Sequence, residues 1–291
     1  MRWEAVHAAA ADGQLNVDRL CRAAGMSRAN YYKQRVVRQR QAVDEQLVVA
    51  LVQRERMRQP MLGGRKLRHM LMPELRLAGV SIGRDLLFNV LKRHDLLIPR
   101  RRRSARTTDS RHGFRSYPNL ARELVPTGPH QLWVSDITYL RTQSRFVYLA
   151  LVMDAWSRAI VGYDCSDSLE VEGALRSLAM ALRQRPECGR PMHHSDRGIQ
   201  YCCGAYIGRL ERAGLAISMT EQNHCYENSQ AERLNGTLKR EYGLHASFRS
   251  RQEAAGAVAE AVVLYNHHRP HEALGYRTPM QVHVGALSVV A

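Results

Sequence analysis

Hydrophobic and polar positions follow two different periods along this chain, and the change falls near Pro129. Upstream, residues 15–32 (LNVDRLCRAAGMSRANYY) carry a short helical pattern, then Gly25, then Ser27 placed to cap a second helix. The spacing predicts a small helix-turn-helix. Residues 62–98 repeat the arrangement: RKLRHML, a break at Pro73, then GVSIGRDLLFNVLKRHDLL. In that second helix Leu86, Leu87, Val90 and Leu91 share one face, and Arg84, Lys92 and Arg93 fall on the other. Each unit reads as a DNA reader or as a plain helical hairpin, and periodicity does not separate the two.

Downstream of Pro129 the pattern turns to period two and to apolar runs. QLWVSDITYL is one strand, and RFVYLALVMDAWSRAIVGYDCS holds two more joined near Asp154-Ala155-Trp156-Ser157, where Asp154 reads as a turn acid. A meander of three strands is expected. A helix over about 170–185 follows, then PMHHSD as a short strand, a helix over about 203–214, LAISMT as a strand, and helices over about 228–242 and 251–268. Three strands followed by alternating helix and strand define an α/β layer architecture.

Charge adds a partner to this picture. The 291 residues hold 43 Lys and Arg against 27 Asp and Glu, a net charge of +16. Such a surplus favours a polyanion, because each phosphate neutralised by Lys or Arg releases condensed counterions. Nucleic acid is expected rather than membrane, since there is no run of about 18 apolar residues and no charged-then-apolar signal at the N-terminus; a cytoplasmic location, nucleoid-associated on DNA, follows. Arg100, Arg101, Arg102 and Arg103 open a polar stretch that reads as a solvated tail or as a phosphate-contacting linker. The six cysteines (Cys21, Cys165, Cys188, Cys202, Cys203, Cys225) show no C-x-x-C spacing and read as reduced, packed thiols.

Three acids stand out against that background. Asp136 lies inside the strand WVSDITYL, facing the side of Val134 and Thr138, and aspartate is depleted in strands because it resists burial without a partner. Asp196 ends the strand PMHHSD, at the carboxyl edge where functional groups of open α/β sheets gather, although Ser-Asp-Arg-Gly is by itself a good turn. On a helix starting near Asn228, residues Asn228, Glu232, Asn235 and Lys239 form one stripe beside an apolar stripe of Ala231, Leu234, Leu238 and Tyr242. Carboxylates from separate rigid elements that converge are what a hard divalent cation such as Mg²⁺ (or Mn²⁺) needs for displacement at phosphorus. His193 and His194 read as packed or solvent-facing rather than as ligands, Asn228 as an N-cap or a site residue, and Lys239 as a DNA contact.

At these residues the sequence resembles the transposases of the insertion-sequence-three type, relatives of retroviral integrases. The segments WVSDITY, HHSDRGIQY and YENSQAE carry the resemblance, with 35 residues between Asp196 and Glu232, and YNHHRPHEALGYRTP at 265–279 and LKRE at 238–241 extend it. Glu227, Ser229, Arg233 and Pro73 depart from the family pattern.

The resemblance implies an α/β fold with a ribonuclease-H-like catalytic core behind N-terminal all-α helix-turn-helix-like units. The expected parts are 1–105 for DNA binding, 106–125 as a basic linker and 126–288 as the integrase-type domain. It further implies Mg²⁺-dependent cleavage and strand transfer at the ends of an insertion element, with Asp136, Asp196 and Glu232 as catalytic and metal-holding residues. Terminal-repeat and target DNA, the product of an upstream reading frame, separate or fused, and a homo-oligomer on DNA are the implied partners. A nuclease that only hydrolyses and a non-catalytic DNA-binding regulator are the alternatives.

Overall fold

A computed structural model describes residues 2–11, 16–99, 114–186, 190–221 and 228–290. The chain divides into two compact units: residues 1–54 with 71–97, and residues 55–70 with 98–291.

The smaller unit is helical, with α1 (Arg2–Ala11), α2 (Val17–Ala23), most of α3 (Arg28–Arg58), the second part of α4 (Gly64–Leu77) and α5 (Arg84–Arg93). Helix α2 starts where the Asn16 side chain accepts the Asp18 N–H at 2.8 Å, and it ends at Gly25 with φ +63°. Ser27 Oγ then accepts the Asn30 N–H at 3.2 Å, as the sequence predicts for the start of α3. Val6, Cys21 and Tyr31 close a small core over this turn. Val48 and Val52 of α3, Leu71 and Leu75 of α4, and Leu87, Val90 and Leu91 of α5 are buried, and Arg54–Glu74 and Arg93–Glu45 ion pairs cross-link the helices at the surface.

Two expectations fail here. Pro73 does not break α4, which runs through it: Leu67, Leu71 and Leu75 hold the buried face while Pro73 is exposed, so the carbonyl that loses its donor faces solvent. Leu86 does not share the buried face of α5 but is 51 % exposed, because the buried stripe turns through Leu87, Val90 and Leu91.

The larger unit is built on a mixed sheet in the order β3-β2-β1-β4-β5, from β1 (Leu132–Thr142), β2 (Phe146–Asp154), β3 (Ile160–Ser166), β4 (Met192–Ser195) and β5 (Ala216–Met219), with β6 (Ser247–Phe248) added to the end of β1. The first three strands form the expected antiparallel meander, and β4 and β5 join parallel to β1. One face carries α6 (Val171–Gln184), α7 (Ile199–Cys202) and α8 (Gly204–Arg212), and the other carries α9 (Ser229–Glu241) and α10 (Arg251–His267). The alternation along β1 sorts the two cores: Trp133 packs on the α6–α8 side with Val152, Leu178 and Tyr206, and Val134 packs on the α9–α10 side with Leu234, Leu238 and Val258.

Asp154 organises the β2–β3 turn as a turn acid, fully buried: its Oδ2 accepts the His130 N–H at 2.7 Å, and its Oδ1 accepts the Ser157 N–H and Oγ–H at 2.8 Å. The helix α1, the short α7 and β6 were not expected; a C-terminal helix was expected as part of 126–288, and the last helix is α11 (Pro279–Val290). Among the described residues no helix is long and apolar enough to cross a membrane.

Candidate active site

The site forms where β1 and β4 run side by side. Their parallel register pairs Leu132 with Met192, Trp133 with His193 and Val134 with His194, a constant offset of 60. Two residues on, the same offset joins Asp136 to Asp196, which follows the last residue of β4. Neighbouring strands lie about 4.8 Å apart, so the two acids occupy one level of the sheet.

Each acid is oriented by a local bond. Beyond the end of β4, the Ile137 N–H turns to Oδ1 of Asp136 at 2.9 Å. The Gly198 N–H donates to Oδ1 of Asp196 at 3.0 Å, in a short turn that starts α7. A Cβ at Gly198 would stand 3.0 Å from that same oxygen, which ties the glycine of SDRG to the position of the acid.

Helix α9 brings the third acid. Asn228 occupies its N-cap position without capping through its side chain. Its Nδ2 donates instead to the Ser135 carbonyl at 3.0 Å, so the N-cap reading of this residue gives way to a strand anchor. Two turns along, Asn235 Nδ2 donates to Asp136 Oδ2 at 2.8 Å. Glu232 stands between these anchors on the same stripe and is half-buried. Lys239 continues the stripe; burial lowers its pKa and the charge of Asp136 opposes that shift, which sets the ammonium within electrostatic reach of the acid.

Two residues near the acids, His193 and Tyr201, are held neutral. His193 is fully buried, with Nε2 2.8 Å from Ser135 Oγ and 2.9 Å from Tyr206 Oη, and burial followed by the neighbouring His194 lowers its pKa to about 3. His194 Nδ1 lies 2.9 Å from Ser218 Oγ. The pair therefore ties β4 to β1, β5 and α8, and both histidines are packed. The Tyr201 phenol is pushed well above its ordinary pKa by burial, by Tyr206 and by the charges of Asp136 and Asp196. It stays protonated within electrostatic reach of both acids.

Among the described residues no group of three or more His, Cys, Asp or Glu side chains is placed to hold a metal ion, and Asp136, Asp196 and Glu232 are not drawn together into one. The arrangement is two carboxylates at one level of the sheet and a third on the helix that crosses it.

The remaining residues expected at DNA are dispersed. Arg84 pairs with Asp85, Arg93 pairs with Glu45 and Lys92 is exposed, all in the helical unit. Arg100, Arg101, Arg102 and Arg103 lie outside the described residues. Of the cysteines, Cys21, Cys165, Cys202 and Cys203 are free thiols, and Cys188 and Cys225 lie outside the described residues. Asn235, Gly198 and Tyr201 carry parts of the site that the sequence reading did not single out, although Asn235 shares the stripe of Glu232.

Two family descriptions match this unit, both an integrase core domain, over residues 126–225 and 213–279. Together they cover more than half of the chain. The fold is a ribonuclease-H-like α/β core preceded by an all-α region, and the enzyme class it defines is the acidic-triad transposases and integrases. The insertion element IS600 uncharacterized 31 kDa protein of Shigella sonnei is 36 % identical over 265 residues, covering 89 % of this chain and 96 % of that protein. The transposase for insertion sequence element IS629 of Shigella sonnei is 35 % identical over 203 residues, 70 % of this chain and 68 % of that one. Transposase InsF for insertion sequence IS3A of Escherichia coli K12 is 34 % identical over 212 residues, 72 % and 73 % of the two chains. The chain belongs to the insertion-sequence-three family of transposases, which share the integrase core. Among solved structures, the HTLV-2 integrase catalytic core domain aligns with 54 % of this chain at 16 % identity and a TM-score of 0.44.

Proposed function

We propose that Asp136, Asp196 and Glu232 are the acidic triad of this transposase and that they hold Mg²⁺ (or Mn²⁺) while a DNA strand is cut and rejoined. The observation that carries the reading is the pair of bonds from Asn228 and Asn235 to Ser135 and Asp136, which anchor to the strand of Asp136 the helix that carries Glu232. The donor set is all carboxylate oxygen, which suits a hard divalent cation that keeps positions open for water and phosphate. When bound, such cations supply Lewis acidity at the attacking and leaving oxygens of an in-line displacement.

The protein's own part is to hold the carboxylates fixed. Asn235 takes one oxygen of Asp136, the Gly198 N–H takes one of Asp196, and Tyr201 stays a neutral phenol within electrostatic reach of both. Lys239, on the stripe of Glu232, supplies a positive charge for a DNA phosphate. The exposed Arg84, Lys92 and Arg93, with Arg100, Arg101, Arg102 and Arg103, add phosphate contacts upstream.

The substrates in this reading are the terminal repeats of an insertion element and a target duplex. Hydrolysis at the element end frees a 3′-hydroxyl, which then attacks a phosphodiester of the target, breaking its P–O3′ bond and releasing a target 3′-hydroxyl as the new phosphodiester forms, without a covalent protein intermediate. The working form is a homo-oligomer on DNA in the cytoplasm, with or without fusion to the product of an upstream frame.

Strand transfer from a labelled element-end duplex tests this. Asp136→Asn, Asp196→Asn and Glu232→Gln are expected to abolish joined products while duplex binding persists. Joined products from any of the three at the wild-type level would refute the triad, and hydrolysis without joining by the wild-type chain would leave only a nuclease.

A further inference from the structure

The hairpin between β2 and β3 closes on a residue that is not glycine. The Asp154 N–H donates to the Ala159 carbonyl at 2.8 Å, the Arg158 N–H donates to the Asp154 carbonyl at 2.9 Å, and Arg158 sits at φ +66°. Glycine adopts that left-handed conformation freely and arginine rarely does, so the turn keeps an arginine where another residue would relieve it. Backbone strain of this kind marks positions where the side chain serves a purpose.

The side chain is in an unusual place for a cation. The guanidinium of Arg158 is half-buried, and desolvation lowers its pKa. Among the described residues no carboxylate forms an ion pair with it. Tyr265 and, more weakly, Asp154 oppose that shift, and both Asp154 oxygens are already taken by His130 and Ser157. Arg233, beside Glu232 on α9, adds positive charge to the same region. Across a cleft of about 450 Å³ stands Arg277, exposed, with its Nε on the Leu274 carbonyl at 3.3 Å. Trp156 and the Ala273–Gly275 turn complete the walls.

A desolvated guanidinium without a carboxylate calls for an anion, and a planar fork matches the two oxygens of a phosphodiester. An indole beside it offers a face for a sugar or base. We propose that this cleft is a subsite for a DNA backbone phosphate held between Arg158 and Arg277, with Trp156 against the adjoining nucleotide. The proposal rests on the DNA transposase reading above and extends it to a place that none of the three acids occupies.

The test is a binding titration of the full-length chain without divalent cation, across a salt series, against an element-end duplex and a random-sequence duplex. Arg158→Gly and Arg277→Gln are each expected to weaken binding about tenfold and to flatten the slope of log K against log salt by about one. Losses on both duplexes assign the subsite to any DNA backbone, and a loss on the element-end duplex alone assigns it to the element end. Unchanged affinity and slope on both duplexes would overturn the proposal, as would a wild-type chain that binds neither.

Thermal melting separates this from a structural role, because Arg158→Gly should melt no lower than wild type. Should it melt lower, Arg158→Asn, which tolerates the left-handed turn, decides the matter: an unchanged salt slope there overturns the subsite. The triad fails independently, if Asp136→Asn keeps strand transfer while the arginine variants lose affinity.

Discussion

The Asn235 amide donates a 2.8 Å hydrogen bond to Oδ2 of Asp136, joining helix α9 to the central strand at the level of the proposed site. Three residues before it on the helix stands Glu232, so the bond orients Asp136 and ties to it the helix turn that carries the third acid. Asn235→Ala removes that fixing without removing an acid. The expected outcome is a fall in strand transfer of about 100-fold, since a misplacement of about 1 Å can cost that much. Asn235→Asp should lose more, because a second carboxylate would face Asp136. Single-turnover assays with matched binding measurements check both, and undiminished transfer by Asn235→Ala would remove this residue from the site.

Two glycines distinguish the fold from the site. A Cβ on Gly162 in β3 would stand 2.1 Å from the Ser177 carbonyl of α6, against backbone that cannot move aside. Gly162→Ala is expected to destabilise the chain by about 1–3 kcal/mol or more, read as a lowered melting midpoint. At Gly198 the Cβ would meet Oδ1 of Asp196 at 3.0 Å. Gly198→Ala should fold and bind DNA but transfer strands poorly, and wild-type transfer would detach Gly198 from the positioning of Asp196.

The order of strands and helices in the larger unit is legible because its signals are local: period two through β1 to β3, and a change to period 3.6 for α6, α9 and α10. Asp136 is legible as an anomaly, an acid in a strand that is buried on both faces. What pairs with it is not, because the register of β1 against β4 is set by residues about 60 positions apart in the chain and a short strand such as MHHS carries little pattern. Asn228 shows the same limit. Its sequence context suits a helix cap, and only the arrival of α9 against Ser135 gives its amide a better partner. Pro73 misleads in the other direction, since a proline disrupts a helix least where its freed carbonyl faces water.

Acid should unfold this protein through its buried histidines. Burial first, and His194 second, lower His193 from 6.5 to about 3, and burial similarly lowers His271 to about 3 and His130 to about 4. Above pH 6.5 both states are neutral and these groups contribute nothing. As the pH falls below 6.5 the unfolded chain takes up protons that the folded chain refuses, so stability drops until the folded values are reached. For His193 alone the loss is on the order of 2 kcal/mol at pH 5. Melting His193→Gln and wild type at pH 7.5 and pH 5 checks this. The variant should show the smaller difference, and equal differences would mean that His193 titrates normally.

The motif segments at 238–241 and 265–279 meet in a buried ion cluster. Arg269 is 6 % exposed and donates from Nε to Glu241 Oε2 at 2.7 Å and from Nη2 to Oε1 at 2.9 Å, while its Nη1 lies 2.7 Å from His271 Nε2. Lys66 Nζ reaches the same carboxylate at 2.8 Å. Burial alone would raise the pKa of Glu241, yet the two cations hold it below the ordinary value; Lys66 is lowered, because desolvation and the nearby Arg269 outweigh the attraction of Glu241. Arg269→Leu leaves that buried acid with one partner and is expected to cost about 3–5 kcal/mol in urea unfolding. Arg269→Lys should be little better, since an ammonium cannot make the two parallel bonds of the fork. Adding Glu241→Gln to Arg269→Leu should recover part of the loss, because the uncompensated charge is gone. If the two losses simply add, Arg269 and Glu241 do not act as a pair, and the end of α9 is held by apolar packing alone.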